Sequence, residues 1–178
     1  MKALRVHLLA AAIVAALAAP AAAEVLSTWD TVIAGTPRFR LLPGFANAAA
    51  VDRETGLVWE RSPDSVPRTW LSAHRFCNDR SVGAGNRLGW RLPTLQELAS
   101  LVDPTVAARP ALPTGHPFTN VQADFYWSAT TFGENPANVW GVSFVDGPLT
   151  DPGARFTGKT ATFYTWCVRT GHGGPDTQ

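Results

Sequence analysis

The chain has 178 residues, with 15 basic and 14 acidic side chains, a formal net charge of +1 and two cysteines. It has no block of five or more like charges, which excludes the concentrated basic surface that non-specific nucleic-acid binding needs. Two cysteines are too few for a cysteine zinc cluster, and without a C-x-x-C pair they do not make a thioredoxin-like redox site.

At the N-terminus Lys2 and Arg5 precede Leu8–Ala19, twelve residues without a polar side chain, followed by Pro20 and Ala21-Ala22-Ala23. A positive flank, a short apolar stretch and small residues at the cleavage positions predict a secretory signal peptide over residues 1–23. As a helix that stretch would reach about 18 Å, against a hydrocarbon core of roughly 30 Å, too short for a membrane anchor. The expected product, residues 24–178, is extracytoplasmic (periplasmic or secreted) and large enough to bury one core. It carries 13 basic against 14 acidic residues, and no later stretch is apolar enough to span a bilayer. In an exported chain Cys77 and Cys167 most simply form one bridge; two free buried thiols are the alternative.

Residues 24–46 form a leading segment punctuated by Thr36-Pro37 and Pro43-Gly44, able to add an edge strand or stay mobile. Ala48–Val51 and Leu57–Glu60 read as short strands joined by a tight turn, Asp52–Gly56, with Gly56 at positive φ. A loop follows over Ser62–Arg68 with Pro63 and Pro67. A helix is predicted from Trp70 to Asp79 with Thr69 as N-cap; Trp70, Ala73, Phe76 and Cys77 share its core face. Ser81–Gly89 is a glycine-bearing loop. A second helix begins at Leu95 under a T-x-x-E capping box of Thr94 and Glu97, with Leu95, Leu98, Leu101 and Val102 as its apolar stripe. Asp103–Asp124 holds five breakers, Pro104, Pro110, Pro113, Gly115 and Pro117, and is predicted as a long loop. Three strands complete the order: Phe125–Thr131, Val139–Val145 and Thr160–Arg169. Residues 47–170 are thus one domain and 171–178 a frayed tail. Strands, two helices, a loop, then strands indicate an α+β fold with a largely antiparallel sheet, and the bridge would staple the first helix to the last strand.

Four segments carry a family resemblance: Val51-Asp52-Arg53-Glu54-Thr55-Gly56-Leu57-Val58-Trp59, Gly89-Trp90-Arg91-Leu92-Pro93-Thr94 with Glu97-Leu98, Phe125-Tyr126-Trp127-Ser128-Ala129-Thr130, and Trp166-Cys167-Val168-Arg169. In content and order they resemble the bacterial exported domain typified by the C-terminal domain of the Legionella collagen-like adhesin. That resemblance implies a C-type lectin-like fold and a binding module rather than an enzyme, with glycosaminoglycan or other glycan as its ligand. The chain lacks a collagen-like Gly-x-y tract, so the adhesin's trimeric stalk has no counterpart here.

Trp59, Trp90, Trp127 and Trp166 read as packing groups, and Asp52 and Gly56 as turn formers. Arg91 reads as one half of a structural ion pair, with Glu60 or Asp52 as its partner. Glu134, Asn135, Asn138 and Asp146 offer oxygens for calcium, but an ordinary polar turn is the preferred reading, so no cofactor or metal is expected. His74, His116 and His172 are widely spaced, and no nucleophile–base motif stands beside them. Formylglycine-generating oxidases share the lectin-like fold but have a different sequence pattern. The expected function is a non-catalytic module that binds a glycan or surface protein through Asp103–Asp124 and Phe132–Asn138. Its candidate contacts are Arg109, His116, Asn120, Asp124, Tyr126, Glu134, Asn135, Asn138 and Trp140. The alternative is an envelope accessory protein binding another protein.

Overall fold

The computed structural model describes residues 37–85, 87–103, 105–145 and 154–171. Residues 1–23, where a signal peptide is expected, most of the leading segment, Asp146 and residues 172–178 with His172 lie outside them. Two sheets and two helices make a mixed α+β fold. The first sheet is built from β1 (Phe39–Leu41), β2 (Ala49–Asp52), β3 (Leu57–Glu60) and β9 (Val168–Thr170), in that order and antiparallel throughout. The second comprises β4 (Asp64–Arg68), β5 (Phe125–Thr131), β6 (Asn138–Ser143), β7 (Ala154–Gly158) and β8 (Phe163–Thr165), in the order β4-β8-β5-β6-β7. Its one parallel pair is β5 with β8, at Tyr126 and Tyr164.

Alternation in the first sheet fixes where the core sits. Ala49, Val51 and Val58 point into one apolar cluster, together with Ala73 and Cys77 of α1 (Trp70–Asn78). Ala50, Leu57, Trp59 and Val168 point into a second, with Leu98 of α2 (Leu95–Ala99) and Leu101 just beyond it. β5 serves both clusters, sending Phe125 and Trp127 to the first and Tyr126 to the second. Trp59, Trp127 and Trp166 are fully buried. Trp127 Nε1 donates to the Arg68 carbonyl at 2.7 Å and Trp166 Nε1 to the Glu60 carbonyl at 2.9 Å, so these two indoles pack without stranding a donor. Trp90, also buried, donates Nε1 to the Arg87 carbonyl.

The β2–β3 turn closes as its residues dictate. Asp52, fully buried, accepts from the Glu54 amide and the Thr55 hydroxyl, while the Arg38 guanidinium forks onto its carboxylate at 3.0 and 2.7 Å. Gly56 takes φ +71° and returns its amide to the Asp52 carbonyl. At α2 both halves of the capping box form: Thr94 accepts from the Glu97 amide, and the Glu97 carboxylate accepts from the Thr94 amide. Thr69 stands at the N-cap of α1, but its hydroxyl donates to Ser72 instead of capping the helix. The Cys77–Cys167 bridge is formed and joins α1 to the segment between β8 and β9.

Several expectations need correction. Ser62–Arg68 is not simply a loop: β4 runs through it, and Pro67 is tolerated because β4 is the edge strand of its sheet. Thr160–Arg169 is not one strand. The chain breaks at Trp166-Cys167, so that β8 joins one sheet and β9 the other. Arg91 does pair in a structural fork, but with Glu97, at 2.6 and 2.7 Å, and not with Glu60 or Asp52. Those two carboxylates face Arg80 and Arg38 instead.

Candidate functional site

β6 and β7 run side by side with Trp140 opposite Phe156. Farther along, the face that carries Trp140 buries Val142 and, just past the end of β6, Phe144 in the second cluster; at Trp140 it emerges beyond that cluster. Phe132, just past β5, stacks on Phe156 with ring centroids 4.2 Å apart and planes 6° apart. Trp140 stands edge-on to both rings at 5.5 Å. None of the three belongs to either core cluster, and Phe156 is 49% exposed. Three aromatic rings left outside the core form an apolar platform on the sheet.

The β5–β6 turn frames that platform. Phe132 N donates to the Asn138 carbonyl, Asn138 N to the Asn135 carbonyl, and the Asn135 side-chain oxygen accepts from Ala137 N. Glu134 and Asn135 are exposed on this turn, and Asn138 is half-buried where β6 begins. The expected contacts Glu134, Asn135, Asn138 and Trp140 are therefore brought together.

The other expected contacts are not. Asp124 precedes β5 and receives the Phe144 amide on its carbonyl, so it sits at the far end of the β5–β6 hairpin. Seven strand residues separate it from Phe132, about 25 Å. There Asp124 edges a shallow groove of about 450 Å³ with Ser143, Val145 and Phe163, and Arg155, Phe156 and Thr157 of β7 line it too, so Asp124 shares a groove with one residue of the platform although it lies far from the β5–β6 turn. Arg109 folds back onto the carbonyls of Val106, Ala107 and Ala108. Asn120, at φ +57°, donates to the Pro63 carbonyl. His116 accepts the Phe118 amide on Nδ1 and stacks on the Phe118 ring, and burial lowers its pKa, so it holds the loop as a neutral ring. Tyr126 corrects the expectation outright. It is fully buried in the second cluster, its hydroxyl accepts the Gln122 amide at 2.7 Å, and burial pushes its pKa well up, so no sugar reaches it. The Asp103–Asp124 loop is pinned by buried Ala111, Leu112 and Phe118.

A second concavity, of about 660 Å³, has no motif in the sequence to mark it. Asn47, Glu60, Arg61, Ser62, Arg80 and Thr119 line it. Glu60 is almost wholly buried. It accepts from Arg80 Nε at 2.5 Å and from the Cys167 amide at 3.1 Å. Burial raises its pKa and outweighs the opposing pull of Arg80. The lining residues are scattered along the chain; the only sequence signal is Arg-Ser at both Arg61-Ser62 and Arg80-Ser81. Among the described residues, no group of three or more His, Cys, Asp or Glu side chains converges to hold a metal ion.

The family model described as Lcl C-terminal domain matches residues 48–169. The chain belongs to the Lcl C-terminal domain family. No curated protein matches it. The Lcl match runs from the start of β2 into β9 and so takes in the aromatic platform, the bridge and all of the second concavity except Ala46 and Asn47. An Lcl domain closed by an intramolecular disulfide is consistent with an extracytoplasmic protein. Among the described residues no helix is long and apolar enough to cross a membrane.

Proposed function

We propose that this Lcl domain is an exported, non-catalytic binding module of C-type lectin-like fold that recognises a glycan on the Phe132–Trp140–Phe156 platform. The observation that carries the reading is the platform itself: three mutually packed rings outside both cores, with Asn135, Asn138 and Glu134 beside them. Pyranose rings present apolar C–H faces that pack on aromatic rings, and the surrounding hydroxyls need fixed amide and carboxylate partners. The platform meets the first need and the β5–β6 turn the second. The family resemblance makes glycosaminoglycans the first glycans to test. Calcium is not part of this reading. Both sulfurs are taken up in the bridge, which leaves the described chain no thiol for oxidase chemistry.

The test is saturable binding of residues 24–178 to an array of neutral glycans and glycosaminoglycans, with calcium and with chelator. Trp140→Ala and Phe156→Ala should each weaken binding at least tenfold while melting within about 2 °C of wild type, since neither ring is part of a core. Full binding by both variants would overturn the site. Retention of a protein from the envelope, with no glycan bound, would overturn the ligand class and favour the accessory-protein reading.

A further inference from the structure

We infer that the edge of β7 is a self-association surface: two copies of this chain pair β7 with β7, antiparallel and with Phe156 opposite Phe156, and so join their five-stranded sheets into one. β7 ends the strand order of its sheet, and among the described residues no strand lies beyond it. The ladder shows which of its backbone groups are left over. Lys159 N donates to the Ala137 carbonyl at 3.0 Å, one step past the Asn138–Gly158 pair. Hydrogen-bonded and non-hydrogen-bonded pairs alternate along an antiparallel ladder. Arg155 and Thr157 therefore bond to β6, while the amides and carbonyls of Ala154, Phe156 and Gly158 point away from it. The Gly158 carbonyl takes the Ala161 amide; Ala154 and Phe156 have no strand to pair with among the described residues.

The opposite edge of the same sheet is closed, which makes the contrast informative. In β4 the Val66 amide is taken by Asp64 Oδ1 at 2.9 Å and the Val66 carbonyl by Arg68 Nη1 at 2.7 Å, and Pro67 has no amide to offer. The register of β4 on β8 is also broken between Asp64 and Arg68. These are the devices by which an edge strand is kept from pairing with another chain. β7 has none of them: Ala154–Gly158 contains no proline and no lysine, and its five pairs with β6 run without a shift.

The sequence of β7 fits a second copy of itself. About a two-fold axis through Phe156, Ala154 faces Gly158 and Arg155 faces Thr157, so the one charge on the strand meets a hydroxyl and not its own like. Phe156 is 49% exposed in the single chain. In the pair its ring lies beside its counterpart, and the two Phe132–Trp140–Phe156 platforms share one face of the joined sheet. One strand pair and one ring pair make a small interface, which places the dimer in the micromolar range.

The test is sedimentation equilibrium of residues 24–178 from about 5 to about 500 µM, a span that brackets such affinities. The expected result is a mass that climbs from one chain to two. Ala154→Pro deletes an outward amide, leaves the bonds to β6 intact and keeps all three platform rings, so it should remain a monomer throughout. Thr157→Arg sets like charges opposite each other and should weaken the dimer at least tenfold, whereas Thr157→Glu should tighten it. That pair of opposite signs follows only from this register and carries the test if Ala154→Pro does not fold. A monomer at the highest concentration, a closed trimer, a fully dimeric Ala154→Pro, or the same sign from both Thr157 variants would overturn the assignment. Glycan is absent from these measurements, so their outcome stands apart from the platform reading.

Discussion

Replacing both bridge cysteines, Cys77→Ala with Cys167→Ala, tests how the two halves of the fold are held together. The bridge closes a loop with a sequence separation of 90. In the chain-entropy model such a loop restrains the unfolded chain by about 4–5 kcal/mol, and measured disulfides more often return 2–4 kcal/mol. Unfolding entropy near 60 °C is about 2 cal/mol/K per residue, or about 0.3 kcal/mol/K for a body of roughly 130 residues. The two together give a fall in Tm of about 7–15 °C. The structure adds a reason to expect the upper end. Of the nine residues of α1 only Ala73 and Cys77 are fully buried, so the helix has little apolar grip of its own. Thiol labelling under native conditions should find no free cysteine. Scanning calorimetry should then compare the oxidised protein, the reduced protein and the double variant. A Tm shift below about 3 °C in both altered forms would mean that packing alone docks α1, and would refute the reasoning.

The other predictions concern buried carboxylates and one backbone contact. Burial alone would raise the pKa of Glu97, but the Arg91 fork outweighs it and holds the carboxyl below its usual 4.5. The stability it contributes is therefore present above pH 4.5 and lost as the pH falls below it. Glu97→Gln should cost about 1–2 kcal/mol at pH 7, given that Arg91 is partly exposed, and should flatten the acid limb of a urea-unfolding series from pH 3 to 7. Glu60 runs the opposite way: burial raises its pKa above 4.5, so its contribution is full below pH 4.5 and fades as the pH climbs through the raised value. The same series on Glu60→Gln should lack the gain in stability that the wild type shows on mild acidification from neutrality. Gly83→Ala places a Cβ at φ +74° and 2.2 Å from the Phe45 carbonyl oxygen. It should cost about 2–4 kcal/mol in urea unfolding and disturb the concavity lined by Arg61 and Arg80.

Most of the scaffold is legible in the sequence wherever one signal dominates. The Asp52–Gly56 turn, both helices and the capping box are local, and their residues alone specify them. β5 is read to the residue because Phe125–Thr131 opens with three aromatic residues and closes with two threonines, all strand formers. Three strands are not legible, each for a tertiary reason. β1 and β7 take their pairing from β2 and β6. β4 contains a proline and forms only because β8 offers it an edge. The splitting of Thr160–Arg169 is hidden because its two halves look alike; pairing with β3, the Cys77 bridge and the Arg91–Val168 backbone pair turn the second half toward the first sheet.

The site was harder to read than the scaffold. A period of two correctly places Trp140, Val142 and Phe144 on one face, but it cannot say where along that face the core ends. Here the core ends between Val142 and Trp140, which is why Phe144 is fully buried while Trp140 emerges to join Phe132 and Phe156. The same blindness put Tyr126 on the surface, although the pairing of β5 with both β6 and β8 encloses it. Phe156 carried no signal of its own, since its only qualification is standing opposite Trp140 across a strand pair that the sequence did not announce. The concavity lined by Arg61 and Arg80 is the extreme case. Its two cations, its hydroxyls and its turn come from four separate segments, and the fold brings them together to shape a space that no linear pattern contains. The binding surface proposed for this domain is thus specified by which side chains the two cores leave over, and it becomes readable only after the cores have been assigned.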